Sequence, residues 1–271
     1  MPPFPPVVPF PRSSPVYVAL GDSSTEGLDD PDGRGGYRGW ANRLAERIAE
    51  SQQGLRYANL AVRGLSTRQI RERQLSPALR MQPDLVTLFS GTNDVVRRRF
   101  DPAGVAADIE EMHRALIGQG AVLLTFTLPD LTPVMPAARW IAPRVELLNR
   151  ALREVSSRTG AILVDVARHP VASDPRLWSD DRLHANALGH ARIAAALAEA
   201  LGLPGTDASW SHPLPPSPLP SFPMRLRSEL RWCRHHLLPW LWRHLHGRSS
   251  ADGRQPKRPE LQRLIDPTDR Q

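Results

Sequence analysis

Five short apolar runs, at 16–20, 55–60, 84–89, 121–128 and 161–166, alternate along the chain with segments whose apolar residues recur every three or four positions. No hairpin signal separates them. Short apolar runs bounded by helical stripes read as strands buried on both faces. The stripes between them are well formed. Trp40, Leu44 and Ile48 mark one helix, and Val105, Ile109, Met112 and Leu116 a second, which Asp101 can cap and Pro102 can start. Val145, Leu148, Leu152 and Val155 mark a third, and Ile193, Leu197 and Leu201 the last. Five strand–helix units of this kind predict an α/β fold with a parallel sheet covered on both faces. In open sheets of that class ligands bind beyond the carboxyl ends of the strands. The residues just after each strand are therefore where chemistry is expected.

Four of those places carry polar residues of matching chemistry. Gly21-Asp22-Ser23-Ser24 follows the first strand, and the segment from Asn59 to Gly64 follows the second. Gly91-Thr92-Asn93-Asp94 follows the third, and a loop with Asp181 and His184 follows the last. A serine hydroxyl is a weak nucleophile at neutral pH and needs an adjacent base. His184 can take the proton of Ser23, and Asp181, three residues earlier, can hold the other ring nitrogen. A developing oxyanion needs donors. The backbone N–H groups of Ser23 and Gly64 and the side-chain amide of Asn93 can supply them. Glycine at position 64 leaves a bare backbone that substrate can approach. Each piece alone has a bland explanation as a turn, a cap or a surface pair. Their occurrence in order, each at a strand end, favours acyl transfer.

The motifs GDSS, NLAVRG, GTND and DRLHANALGH resemble the four blocks of the SGNH hydrolases, also called GDSL esterases and lipases, over roughly residues 15–203. The resemblance implies Ser23 as nucleophile and first oxyanion donor, Gly64 and Asn93 as the other donors, His184 as general base and Asp181 as its orienting carboxylate. It implies a three-layer α/β/α sandwich with a flavodoxin-like five-stranded parallel sheet, and no metal or organic cofactor. Ser24 stands where the family name expects Leu, and Ala185 where Pro is frequent. The expected substrate is a small carboxylic ester, such as a lysophospholipid or short-chain lipid. An O-acetyl group on a glycan, or a non-catalytic binding role, are the alternatives. Residues 129–142, with Trp140, are expected to form one wall of the pocket. His113 is expected on the polar side of its helix, His190 as a structural partner and His169 in a loop.

Outside that zone the sequence changes character. Residues 1–14 form a Pro-rich leader expected to be disordered, with no basic n-region that would suggest a signal peptide. Residues 204–223 read as a Pro-rich linker, 224–248 as a basic amphipathic helix and 249–271 as a disordered tail. The net charge of +7 is uneven: residues 206–271 hold 11 basic and 6 acidic residues. Trp232, Trp240 and Trp242 stand among arginines in the helix, which Pro239 should kink. Such a helix packs on the domain or a partner, or lies on an anionic membrane; nucleic acid is not expected. The cysteine and histidines of the tail match no zinc spacing. A single cysteine, Cys233, and the lack of an apolar span predict a cytoplasmic protein, peripheral at the membrane if the tail engages it. Removal of residues 206–271 is expected to leave hydrolysis of a soluble ester intact.

Overall fold

The computed structural model describes residues 14–218, 221–239, 242, 250, 251 and 253–264. The five expected strands are present as β1 (Val16–Gly21), β2 (Arg56–Asn59), β3 (Leu85–Phe89), β4 (Val122–Phe126) and β5 (Ile162–Val164). A sixth, β6 (Arg258–Arg263), joins them, and the order across the sheet is β5-β4-β3-β1-β2-β6. The first five strands pair in parallel, while β6 runs antiparallel to β2, with Tyr57 opposite Gln262.

The sheet is therefore six-stranded rather than five-stranded, and residues 258–263 are ordered where the tail was expected to be disordered. The cause is the edge of β2, whose unpaired N–H and C=O groups accept any strand that can reach them. Two side chains fix β6 in place. Lys257 Nζ donates to the carbonyls of Tyr37 and Arg38 at 2.9 and 3.0 Å, and the Arg258 guanidinium lies 5.2 Å from the centre of the Tyr57 ring. Burial, with the neighbouring Arg258, pulls the Lys257 ammonium down to about 8.

The period of two along β1 separates the layers. Tyr17 and Ala19 face one core with Trp40, Leu44 and Ile48 of α2 (Gly39–Ser51) and Leu197 of the last domain helix (Ala187–Ala200). Val16, Val18 and Leu20 face the other, with Ile70 and Leu75 of the helical run 67–80 and Met112 and Leu116 of α3 (Pro102–Gly118). Helix α4 (Ala142–Thr159) packs against α3. The Ala187–Ala200 helix, α5, packs beside α2. The connection from β1 leads to β2 on one side, and that from β2 leads back to β3 on the other, so the chain reverses direction between β1 and β3. That switch point opens a crevice at the carboxyl ends of these two strands.

His113 corrects the surface expectation: it is fully buried. Helix α3 is covered by α4 as well as by the sheet, so its buried arc is wider than its apolar stripe. The His113 Nδ1 lies 3.1 Å from Thr159 Oγ1 on α4, and burial pushes the imidazole down to about 4. His190 is a buried structural partner, accepting from Trp40 N at 3.1 Å and lying 2.9 Å from the Leu28 carbonyl. His169 stands in a loop with its ring 4.5 Å from that of Trp210.

The C-terminal segment lies on the domain. Around Ala208–Ser211 the chain crosses α5, where Arg192 Nη1 donates to the His212 carbonyl at 2.6 Å and Trp210 Nε1 donates to Glu199. A further helix, α6 (Phe222–Trp232), continues into a π turn at Cys233–Leu237. The expected helix beyond 239, apart from Trp242, and the leader apart from residue 14, lie outside the described residues. Among those described, no helix is long and apolar enough to cross a membrane.

Candidate active site

Ser23 opens α1 (Ser23–Glu26), a single turn that begins directly after β1. The turn demands a glycine at 21: a Cβ there would stand 2.2 Å from Thr25 Oγ1 and 2.6 Å from the Phe89 carbonyl. Gln74, in the π turn Arg71–Leu75, clamps the same glycine, accepting from its N–H at 2.9 Å and donating to its carbonyl at 2.8 Å. The loop that carries Ser23 is thus held by a buried side chain from another element.

Ser23 Oγ lies 2.8 Å from His184 Nε2, and His184 Nδ1 lies 2.6 Å from Asp181 Oδ2. The three residues, 158 or more positions apart between Ser23 and the other two, form one hydrogen-bonded line. Asp181 is fixed by its second oxygen. Oδ1 accepts from the N–H groups of Leu183 and His184 at 2.8 and 2.9 Å, and from Ser179 Oγ at 2.6 Å. The turn that makes this possible passes through Arg182 in the left-handed region, at φ 64°. Burial raises the Asp181 carboxyl, but its bonds to His184 and Ser179 and the His184 charge hold it well below the usual carboxylate range. Burial would depress His184; the Asp181 hydrogen bond and the charges of Asp181, Asp29 and Asp22 outweigh it and raise the imidazole.

A second carboxylate stands behind the first. Asp29, at φ 65°, has Oδ2 3.8 Å from His184 Nδ1 and 2.7 Å from Ser179 Oγ. Ser179 has one hydroxyl hydrogen, so at any moment it serves either Asp29 or Asp181. The ligand atoms of Asp29, Asp181 and His184 fall within 4.8 Å of one another. A cation there would have to displace the proton between Nδ1 and Oδ2, so the cluster suits a proton network better than a metal.

The proposed oxyanion donors approach one another. Asn93 Nδ2 donates to Asp22 Oδ2 at 3.1 Å and to the Leu65 carbonyl at 3.0 Å. Its amide therefore sits between the chain neighbours of Ser23 and Gly64. Gly64 has φ 81°, so the position needs glycine for its backbone as well as for access. Two contacts hold its loop. Arg63 N donates to Glu26 Oε2 at 2.8 Å, and Asp94 Oδ2 accepts from Thr67 N and Oγ1 at 2.9 and 2.8 Å. Asp22 is fully buried, and burial pushes its carboxyl up to about 7, against the lowering bonds from Ser24 N and Asn93. Asp22, Asp29, Ser179 and Gln74 were not singled out from sequence. Asp22 stands inside the quoted GDSS motif, while Asp29, Ser179 and Gln74 carry no local signal. Ser24, the neighbouring hydroxyl, instead accepts from Trp40 Nε1 at 3.3 Å.

Beside Ser23 and His184 a cavity of about 100 Å³ runs between the sheet ends and α5. Phe89, Phe126, Leu177 and Ile193 line it, and Trp210 from the C-terminal segment lies among the lining residues. Pro129 and Leu131 contribute to the wall as expected for that loop, but Trp140 does not and is 74% exposed.

Residues 19–192 match the GDSL-like Lipase/Acylhydrolase family. Among solved structures, the chain is similar to LAE5, an alpha/beta hydrolase enzyme from the metagenome of Lake Arreo, at 24% identity and a TM-score of 0.59, covering 70% of this chain and 95% of that one. It is similar to the lipase/acylhydrolase from Enterococcus faecalis at 21% identity and a TM-score of 0.59, covering 69% and 95%. A catalytic mutant of an acetylxylan esterase from Geobacillus stearothermophilus gives 16% identity and a TM-score of 0.59, covering 72% and 97%. These likenesses establish a shared fold. No curated protein matches the chain.

Proposed function

The chain belongs to the GDSL-like Lipase/Acylhydrolase family, and from that premise we propose that it is a serine esterase cleaving carboxylic esters with an apolar acyl group. The observation that carries the reaction type is the line Ser23–His184–Asp181 with bonds of 2.8 and 2.6 Å. Ser23 donates its hydroxyl proton to His184 Nε2 as Oγ attacks the ester carbonyl. Asp181 keeps the other ring proton on Nδ1 and balances the imidazolium that forms. The N–H groups of Ser23 and Gly64 and the Asn93 amide receive the oxyanion. For Asn93 this means exchanging one of its two present partners, Asp22 or the Leu65 carbonyl. His184 then protonates the leaving alcohol, and the acyl group remains on Ser23. Water, deprotonated by His184, releases the acid.

The cavity supports an apolar acyl group rather than acetyl. An acetyl needs only the space next to Ser23, whereas the phenylalanine, leucine and isoleucine walls continue to Trp210. Lipid esters, lysophospholipids among them, are the substrate class that fits.

A fluorophosphonate probe is expected to label the wild type and to leave Ser23→Ala unlabelled; equal labelling of both would refute the nucleophile. In a series of p-nitrophenyl esters, kcat/KM should rise from acetyl to medium-chain acyl groups. An optimum at acetyl would overturn the acyl assignment while leaving the reaction type standing.

A further inference from the structure

The C-terminal helix α6 has two unlike sides. Its inner side is fastened to the loop that carries Asp181 and His184. Trp232 is buried and donates from Nε1 to the Asp181 carbonyl at 3.0 Å. Arg182 lies 4.8 Å from the centre of the Trp232 ring and makes two bonds of 2.8 Å to Glu229. Glu229 is the single acid between residues 221 and 239, and it is engaged by Arg182.

The outer side has the opposite character. Leu226 and Leu230, one turn apart, are 49% and 63% exposed, and Met224 and Leu238 are 61% and 59% exposed. Arg227, Arg231 and Arg234 are exposed among them. At 100° per residue, Glu229 and Trp232 fall on the arc opposite to Arg227 and Arg234. Of the eight exposed large hydrophobic side chains among the described residues, five fall between 224 and 242. A surface that is at once leucine-bearing, arginine-bearing and free of acid does not suit a second copy of itself, because the arginines would face arginines. Nucleic acid would engage the arginines but leave the leucines in water.

We infer that the outer face of α6 docks on an anionic lipid surface, with Leu226 and Leu230 entering the acyl boundary and Arg227, Arg231 and Arg234 meeting lipid phosphates. The docking goes beyond the esterase assignment and does not depend on it. Its consequence for that assignment is positional. The loop gripped by Trp232 and Glu229 also supplies Leu183 and His184 to the cavity lining. A bilayer held by α6 is therefore linked through that loop to the wall of the cavity.

The test is co-sedimentation of the full-length protein with vesicles of equal parts phosphatidylcholine and phosphatidylglycerol, and with vesicles of phosphatidylcholine alone. The protein should pellet with the first, less so as salt is raised, and stay in solution with the second. The double variant Leu226→Asp/Leu230→Asp should lower partitioning by about tenfold or more. Each of Arg227→Gln, Arg231→Gln and Arg234→Gln should lower it by about fivefold. All should keep wild-type turnover of a soluble ester, which shows that they fold. Ser23→Ala should pellet like wild type, so failure of the catalytic assignment and failure of docking read out separately. Docking is overturned if the wild type stays in solution with anionic vesicles, if it pellets equally with both vesicles, or if the leucine variant pellets undiminished. It is also overturned if the arginine variants change only the retention of duplex DNA.

Discussion

Asp181→Asn tests the proposed chemistry most directly, because the structure dictates how the new amide must sit. Oδ1 of Asp181 accepts two backbone N–H groups and the Ser179 hydroxyl, while Oδ2 is bonded to His184 Nδ1. Placing the amide NH₂ at the Oδ1 position would break two backbone hydrogen bonds, each worth about 1 kcal/mol, and set donors against donors at about 1–3 kcal/mol each. The amide oxygen therefore stays at Oδ1 and the NH₂ points at His184. A donor there makes Nδ1 the acceptor and moves the ring proton to Nε2, the nitrogen that must take the Ser23 proton. Loss of the base tautomer costs about 10⁴-fold in turnover, or about 5.4 kcal/mol at 1.36 kcal/mol per tenfold. The assay is kcat and KM on a medium-chain p-nitrophenyl ester, with thermal unfolding as a control. The loss should fall on kcat with KM little changed and the unfolding midpoint near wild type. A variant that folds and keeps more than about a tenth of wild-type kcat would refute the role given to Asp181.

Four further outcomes are expected. The base must be neutral, so kcat/KM rises with pH through the His184 pKa; because that pKa is raised, the acid limb should lie above 6.5. The carboxylates acting on His184 are Asp181, Asp29 and Asp22, so Asp29→Asn should shift the limb to lower pH, and an unmoved limb would show that Asp29 does not act on His184. His113 has the reverse sign: its folded pKa of about 4 lies below 6.5, so its contribution to stability is present above 6.5 and is lost as pH falls toward 4. Urea unfolding should show wild type losing about 3 kcal/mol more than His113→Gln across that window, and parallel pH profiles would contradict it. Deletion of residues 257–271 removes β6 from the edge of β2 and should lower the unfolding midpoint and promote aggregation, read by light scattering; an unchanged midpoint would show that β6 contributes nothing.

What could be read from the sequence was whatever announces itself locally. The strand core 16–20 is a continuous apolar run and 84–89 a mostly apolar one, and both form within a residue of those bounds. Ser23, Asp181 and His184 were legible because their residue types suit one reaction and each follows a strand. The groups that were missed act from a distance. Gln74 holds Gly21 from 53 positions away, and Ser179 touches Asp29 across 150. Neither has a neighbour that signals it. The segment Arg258–Arg263 has no alternating apolar pattern; it becomes a strand because β2 offers an open edge, which is tertiary context and not propensity. Likewise His113 looks polar on a helical wheel drawn for one contact surface, and α3 has two.

The tail bears directly on the loop that carries Asp181 and His184. Two non-glycine residues beside His184, Asp29 and Arg182, hold φ values of 65° and 64°. Left-handed backbone at such residues costs about 1–2 kcal/mol and persists only where surrounding contacts over-determine it. Arg182 is held by its own turn, through its N–H to the Ser179 carbonyl, and by Glu229 and the ring of Trp232 from α6, while Trp232 also holds the Asp181 carbonyl. Against the expectation that residues 206–271 are dispensable for soluble-ester hydrolysis, these contacts predict that their removal lowers it. Their removal takes Trp210 from the cavity and Trp232 from the loop, and leaves Arg182 in a strained conformation without its contacts to α6. The Ser23–His184–Asp181 line is assembled by the domain, but the turn that aims Asp181 at His184 is braced by a helix more than 40 residues further along the chain. Trp232→Ala should thus lower kcat on a soluble ester, whereas Leu226→Asp, one helix face away, should not.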